Sequence, residues 1–219
     1  MKKYIAPSLL AANKEKLADE IKLVESLGAE YIHWDIMDGI FVATPSALLS
    51  SQLRECAHIH KMVNDVHIMV ADPLKVSEEF IDAGADLVTF HIEATHYDEK
   101  ETNKVIDFIH SKGCKAGISI KPCSSVEDIE KFLSKLELVL VMSVEPGKGG
   151  QKFMPEALEK IAKLRKIIDE NKYNCLIEVD GGINGETGQE CLKAGVDILV
   201  AGSYLFGHED IKERMATLR

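Results

Sequence analysis

Residues Tyr31–Phe41 read YIHWDIMDGIF, and this stretch decides the fold assignment. As an extended strand it points His33, Asp35 and Met37 to one face and apolar side chains to the other, because successive side chains alternate. A strand covered on both faces is normally almost entirely hydrophobic. A histidine and an aspartate at its carboxyl end therefore predict a site, just before the Asp38-Gly39 turn. A pair that only fixes barrel geometry is the alternative.

Composition limits the classes of protein that this chain can belong to. With 219 residues and 46% hydrophobic content, it can form one sizeable core, and residues 1–219 are predicted to be a single barrel domain. The net charge of −10 argues against nucleic-acid or anionic-membrane partners. No window reaches 18 apolar residues, and five cysteines without a CxxC pair suit a reducing compartment, so we expect a cytoplasmic protein.

Short apolar runs alternate with amphipathic segments along the whole chain, which predicts a parallel sheet. Eight strands are predicted, at Tyr4–Leu9, Tyr31–Ile36, Val63–Met69, Leu87–His91, Lys115–Ile120, Leu138–Met142, Leu176–Val179 and Ile198–Ala201. Helices are predicted near Lys14–Leu27, Ala47–His58, Pro73–Ala83, Glu101–Lys112, Val126–Leu136, Pro155–Asn171, Gly185–Ala194 and Glu209–Leu218.

Local signals agree with these limits. Asn13 and Ser125 are predicted N-caps, and Pro73 and Pro155 suit a first helical turn. Glycines follow four predicted helix ends: Gly28, Gly84, Gly113 and Gly195. Eight strand–helix units in this length favour an α/β fold, the closed (β/α)8 TIM barrel, over a doubly wound open sheet, and no GxGxxG follows the first strand.

Barrel closure brings polar groups from separate strands to one mouth. The second strand offers His33 and Asp35, the adjacent third strand offers His67, and the seventh offers Asp180 from across the mouth. Two histidines and two aspartates suit Zn²⁺, Mn²⁺, Fe²⁺ or Co²⁺. A hydrogen-bonded core histidine is the ordinary alternative for each ring taken singly.

Two aspartates on opposite sides of one cation predict an acid and a base on opposite faces of a flat intermediate. If Asp35 and Asp180 differ in protonation, a proton can leave one face of a carbon and return to the other, which is epimerisation. The carbon next to a ketone is a weak acid, so the ene-diolate is expected to need the cation as a Lewis acid.

Three methionines and three glycine-rich corners complete the predicted site. Met37, Met69 and Met142 end strands and are expected either to form a water-excluding collar or simply to pack. Backbone amides of glycine-rich loops can hold a phosphate, and Lys148 can add a charge. The candidate phosphate-binding residues are Gly147, Lys148, Gly149, Gly150, Gly181, Gly182, Gly202 and Ser203.

Six motifs in order make the chain resemble the ribulose-phosphate 3-epimerases. They are PSLL at Pro7–Leu10, HWDIMDG at His33–Gly39, DVHIM at Asp65–Met69, VMSVEPGKGGQKF at Val141–Phe153, EVDGGI at Glu178–Ile183 and AGS at Ala201–Ser203. The resemblance implies a barrel of the ribulose-phosphate-binding type that interconverts D-ribulose 5-phosphate and D-xylulose 5-phosphate. It implies one divalent metal ion per chain, Zn, Fe, Mn or Co, held by His33, Asp35, His67 and Asp180.

The resemblance also implies individual roles. Asp35 would accept the proton and Asp180 would donate it, with the roles exchanged in reverse. Ser8 and His67 would contact the phosphorylated ketose, and the glycine corners Gly147–Gly150, Gly181–Gly182 and Gly202–Ser203 would hold it and its phosphate. A homo-oligomer is expected.

The chain departs from the family pattern at two points. The loop after the second strand reads Ile40-Phe41-Val42-Ala43-Thr44-Pro45 where DGHFVPN is usual, and Lys148 replaces an aromatic residue. An epimerase of another ketose phosphate, such as D-allulose 6-phosphate, and a non-catalytic sugar-phosphate-binding barrel therefore stay open. Decarboxylases and synthases of the related Asp-x-Lys-x-x-Asp type are disfavoured, because no lysine follows Asp35. His91 and Glu93 could support the site or only fill the barrel.

Overall fold

Eight parallel strands form one sheet in the computed structural model, which describes residues 3–219. The strands are β1 Tyr4–Pro7, β2 Tyr31–Met37, β3 Val63–Met69, β4 Leu87–His91, β5 Lys115–Ile120, β6 Leu138–Met142, β7 Leu176–Asp180 and β8 Ile198–Ala201. Each strand pairs with the next in sequence from β2 to β8, and β8 pairs with β1. The (β/α)8 barrel is confirmed.

Helices connect the strands on the outside of the barrel. The α-helices are α1 Leu17–Ser26, α2 Ser50–Cys56, α3 Pro73–Ala83, α4 Glu99–Ser111, α5 Ala157–Asn171, α6 Gly185–Ala194 and α7 Ile211–Thr217. Short 3-10 helices lie at Leu9–Ala11, Lys14–Lys16, Ile92–Thr95 and Glu130–Lys135. The main core lies between the sheet and these helices, and its largest fully buried side chains include Trp34, Phe90 and Phe132.

The barrel closes where β1 meets β2. A single parallel bridge joins Ser8 to His33, and the Glu30 carboxylate accepts a hydrogen bond of 3.2 Å from the Ile5 amide. Inside the lumen a smaller apolar cluster from β1, β4, β6 and β8 includes Ala6, Leu140 and Val200. It extends to Met142 at the carboxyl end of β6.

The helix predicted at Val126–Leu136 is wrong in type. Amides here bond three residues back, as Phe132 does to Ile129 at 2.9 Å, and only Glu130–Lys135 forms a 3-10 helix. Val126, Ile129 and Phe132 are all buried, and winding with about three residues per turn puts them on one face. Ser125 is no N-cap, since its hydroxyl donates to Asp128 Oδ2 at 3.0 Å and accepts from no amide within residues 3–219, and the 3-10 helix begins after Ile129.

Other predicted limits differ by a few residues. The helix expected from Ala47 begins at Ser50, because Ser46 accepts from the Leu48 amide and the Gln52 side chain accepts from the Leu49 amide. α5 begins at Ala157, two residues after Pro155. The other cap predictions agree: the Asn13 side chain accepts from the Glu15 amide, Pro73 opens α3, and glycines end four α-helices at positive φ.

No helix within residues 3–219 is both long enough and apolar enough to cross a bilayer. The single domain over residues 1–219, the cytoplasmic location and the homo-oligomer stay predictions.

Two glycines at helix ends test how tightly the helices hold the barrel. At Gly84 (φ +114°) an added Cβ would lie 2.9 Å from the Ala57 Cβ, whereas at Gly113 (φ +76°) it would meet nothing within 4 Å. Gly113→Ala should cost about 1–2 kcal/mol through backbone strain alone. Gly84→Ala should cost at least about 1 kcal/mol more, through added overpacking. Urea unfolding followed by fluorescence of Trp34 measures both, and equal losses would contradict the packing argument.

Candidate active site

Four side chains from three strands converge at the carboxyl end of the barrel. β2 carries His33 and Asp35, β3 carries His67, and β7 carries Asp180. The register of β2 and β3 pairs Asp35 with His67, and their Oδ1 and Nδ1 atoms are 3.1 Å apart. One donor atom from each of the four residues lies within 4.8 Å of the others. The predicted quartet is therefore brought together.

The donor set fits one divalent cation. The His33 Nε2 atom is buried, has no hydrogen-bond partner among residues 3–219, and lies 3.4 Å from Asp35 Oδ1. Burial alone would lower the pKa of His33, but the charges of Asp35 and Asp65 raise it well above its usual range. This nitrogen thus faces a place that favours positive charge. Two imidazole nitrogens and two carboxylates suit Zn²⁺, Mn²⁺, Fe²⁺ or Co²⁺.

The two aspartates have opposite pKa shifts. Burial alone would raise the pKa of Asp35, but the charge of His33 and the close approach of the His33 and His67 rings lower it below its usual range. Burial and the charge of Asp35 raise the pKa of Asp180 to about 7. Asp35 is therefore a carboxylate under conditions where Asp180 still holds a proton. This is the division of roles that an acid–base pair needs.

Two acidic residues beneath the quartet were missed by the sequence reasoning. Asp65 Oδ2 lies 2.6 Å from His33 Nδ1, and Glu178 Oε1 lies 3.9 Å from the same nitrogen. Both are fully buried, and burial together with the charge of Asp65 raises the pKa of Glu178 well above its usual range. Because Asp65 contacts Nδ1 of His33, the Nε2 atom faces the cluster. Asp65 lies two residues before His67, and Glu178 lies two residues before Asp180, so each shares a strand face with a predicted ligand. This spacing was the signal available in the sequence.

Other predicted contacts lie around these four groups. The Ser8 hydroxyl donates to Asp35 Oδ2 at 2.6 Å, and its oxygen accepts from the Leu10 amide at 3.2 Å. His91 Nε2 lies 2.8 Å from His67 Nε2, and His91 Nδ1 lies 3.2 Å from Glu93 Oε2. His91 and Glu93 therefore contact the site rather than only filling the barrel. Burial lowers the pKa of His91 to about 4, so its ring is neutral near pH 7.

Asp35 and Asp180 of this cluster line a cavity of about 410 Å³. Most of the predicted substrate-contacting residues line it, namely Ser8, Gly147, Lys148, Gly149, Gly150, Asp180, Gly182, Gly202 and Ser203. His67 and Gly181 are not among the lining residues. Gly182 (φ +63°) approaches the chain so closely that a Cβ there would lie 2.5 Å from the Phe153 nitrogen. The close approach leaves room only for glycine at this corner.

The three methionines lie at the cluster but not equivalently. Met69 and Met142 line the cavity, while Met37 packs beside Met69 and Val42. All three are buried. Their role as a collar stays a prediction.

The protein is a parallel eight-stranded barrel, and at its strand ends lie a cluster that could hold a cation and a cavity lined by glycines. These features define a (β/α)8-barrel enzyme. The profile of the ribulose-phosphate 3 epimerase family matches residues 4–206. The chain belongs to this family, and it is an epimerase.

Curated relatives are similar over nearly their full length. The chain is 41% identical over 216 residues to the ribulose-phosphate 3-epimerase of Mycobacterium tuberculosis strain H37Rv, covering 98% of this chain and 91% of that protein. It is 40% identical over 217 residues to the ribulose-phosphate 3-epimerase of Bacillus subtilis strain 168, covering 98% and 97%.

Solved structures with the same fold include proteins of other activities. A 3-keto-L-gulonate-6-phosphate decarboxylase from Vibrio cholerae has a TM-score of 0.73 at 16% identity, covering 100% of this chain and 96% of that one. A 3-hexulose-6-phosphate synthase has a TM-score of 0.69 at 18% identity, covering 100% and 98%. At these identities the likeness shows the fold alone.

Removing one predicted ligand should remove the cation. The metal-free protein should bind about one Co²⁺ or Zn²⁺ per chain, and His33→Ala should weaken that binding at least about 100-fold, because His33 Nε2 would be lost. Isothermal titration calorimetry measures both numbers. The control is His58→Ala, an exposed histidine near the opposite end of the barrel. Wild-type affinity in His33→Ala would exclude that nitrogen as a ligand.

Proposed function

We propose that the protein inverts C3 of D-ribulose 5-phosphate to give D-xylulose 5-phosphate, with residues 1–219 acting as one catalytic domain. The observation that carries this proposal is the pair Asp35 and Asp180, which share one site and have opposite pKa shifts. The family relationship supports the choice of substrate, because the relatives carry this enzyme's name.

The proposed proton transfer uses one aspartate on each face of the sugar. Asp35, as the carboxylate, takes the proton from C3, and Asp180, as the acid, returns a proton to the opposite face. In the reverse direction the two exchange roles. The Ser8 hydroxyl, 2.6 Å from Asp35 Oδ2, holds the carboxylate in one orientation and lines the cavity where the ketose would lie.

His33, Asp35, His67 and Asp180 would hold one divalent ion, of zinc, iron, manganese or cobalt. A bound ion of this kind would stabilise negative charge on the oxygens next to the reacting carbon. Asp65 would keep the His33 ring in place through its 2.6 Å contact with Nδ1. Met69 and Met142 would keep water from the reacting face, with Met37 behind them.

The phosphate would lie in the glycine-lined part of the cavity. Amides of the loops at Gly147–Gly150, Gly181–Gly182 and Gly202–Ser203 would supply neutral donors, which suits a chain with a net charge of −10. Gln151 donates to the carbonyl oxygens of Glu145 and Lys148, at 2.6 and 2.7 Å, and so supports the first of these loops.

Wild-type protein loaded with Co²⁺ should exchange the C3 hydrogen of D-ribulose 5-phosphate with deuterium in ²H₂O. Asp35→Asn and Asp180→Asn should each lower kcat by about 10²- to 10⁴-fold, because an amide neither accepts nor returns the proton. Proton NMR measures the exchange and a coupled assay the turnover. Asp107→Asn, at an exposed position on α4, is the control and should leave both unchanged.

Two outcomes would count against this proposal. An unchanged C3 signal with metal-loaded wild type would exclude the substrate, and the same assay with D-allulose 6-phosphate would then test the hexulose alternative. Normal turnover in either aspartate variant would remove that residue from the pair.

Lys148 is the exposed cation at the cavity rim, where an ammonium can reach a phosphate. Lys148→Ala should raise KM about two- to fivefold with kcat unchanged, as expected for loss of one solvent-screened charge pair worth under about 1 kcal/mol. Lys152→Ala is the matched control, because Lys152 is also exposed but does not line the cavity. Steady-state kinetics measure both constants. An equal KM in the two variants would show that Lys148 does not contact the phosphate.

A further inference from the structure

A line of four side chains leads from the catalytic mouth into β4 and the 3-10 helix Ile92–Thr95 that follows it. Asp35 Oδ1 lies 3.1 Å from His67 Nδ1, and His67 Nε2 lies 2.8 Å from His91 Nε2. His91 Nδ1 in turn lies 3.2 Å from Glu93 Oε2. Both histidines are fully buried, so water cannot substitute for a missing partner along this line.

The hydrogens available to this line can be counted. It has three gaps, Asp35 to His67, His67 to His91, and His91 to Glu93, and two neutral imidazoles supply two hydrogens. Ionised carboxylates at the two ends only accept. If His91 gives its Nδ1 hydrogen to Glu93, its Nε2 must accept from His67. The gap left without a hydrogen is then the one at His67 Nδ1, beside Asp35.

Glu93 is held as an acceptor by its other oxygen. Glu93 Oε1 accepts from the Lys121 amide at 2.9 Å and from the Ser124 hydroxyl. The Lys160 ammonium binds the carbonyl oxygens of Lys121 and Ser124, at 3.0 and 2.6 Å, and so holds this turn in place. With one oxygen bound to two donors, the other is aimed at His91. Oε1 already accepts from two donors, and Oε2 can accept from the His91 ring. Glu93 can therefore act as an ionised acceptor without a hydrogen of its own.

We propose that His91 and Glu93 are positioning residues, which keep the hydrogen of His67 on Nε2 and so leave the Nδ1 lone pair free for the cation. This inference rests on the proposed cation site. The other ligand histidine needs no such intermediary, because Asp65 contacts His33 Nδ1 directly and leaves Nε2 facing the cluster. The two rings would thus bind through opposite nitrogens, each fixed by its own carboxylate.

Three variants separate this role from packing. His91→Leu leaves the His67 Nε2 hydrogen without an acceptor, whereas His91→Gln can offer an amide oxygen where Nε2 stands. Glu93→Gln can present an amide donor to His91 Nδ1, which would reverse the hydrogens along the line. The matched control is His110→Leu, since His110 forms a similar pair with Glu137, 3.0 Å away, outside the mouth.

Calorimetry with Co²⁺ alone, on the full chain, gives the first readout. Affinity should fall about 10- to 100-fold in His91→Leu and in Glu93→Gln, the usual effect of losing a group that orients a metal ligand. His91→Gln should stay close to wild type, and so should His110→Leu. Circular dichroism establishes that each variant is folded; if His91→Leu is not, Glu93→Gln and the labelled wild type decide.

Nitrogen-15 NMR of histidine-labelled wild type loaded with Zn²⁺ gives the second readout, namely which ring nitrogen carries the hydrogen. A purely structural role of His91 would not determine this. We expect the ring hydrogen on Nε2 of His67 and on Nδ1 of His91. A hydrogen on His91 Nε2 would overturn the proposal. Wild-type Co²⁺ affinity in folded Glu93→Gln and His91→Leu would overturn it too, while leaving the cation site intact. Failure of the wild type to bind any divalent ion would instead remove the site and this inference together.

Discussion

The parallel register between β2 and β3 pairs Asp35 with His67 and His33 with Asp65, and every other feature of the mouth is built on that pairing. Side chains alternate along a strand, so a slip of either strand by one residue would turn its two polar residues toward the helix layer. Apolar residues that alternate with them along the strands, including Ile32, Trp34 and Ile68, are buried in the main core, and they oppose such a slip. The chemistry of the mouth is thereby tied to packing on the opposite face of the same strands.

Burying so many polar groups has a cost that the molecule meets by pairing and neutralisation. An unpaired carboxylate in a barrel interior would cost several kcal/mol. Asp65 is paired with His33, and Glu178, with no hydrogen-bond partner for either oxygen within residues 3–219, has its pKa raised well above its usual range by burial, which shifts it toward the neutral acid. Buried polar groups at the mouth thus carry a free-energy cost in the folded state. A cation bound there would stabilise the folded state, because it binds the folded and not the unfolded chain.

Much of this arrangement could be predicted from the chain because it depends on short repeats. An i, i+2 spacing put His33 with Asp35 on one face, and glycine signals located the ends of α3 and α6 at Gly84 and Gly195. The segment Val126–Leu136 was assigned the wrong helix, since its three-residue apolar spacing fits either winding until the neighbours are known. The contact between His67 and His91 depends on ring orientation across two strands, which no spacing along one strand contains.

The join between β1 and β2 has a consequence for motion. One isolated bridge from Ser8 to His33 links these strands, whereas each other neighbouring pair shares at least three residue pairs. Breathing of the barrel would begin along this join, and its amides should exchange with solvent before those of the remaining sheet. The hydroxyl of Ser8 reaches across this join to Asp35. A sugar bound between the two residues would therefore hold together the two neighbouring strands that share the fewest backbone contacts while it reacts.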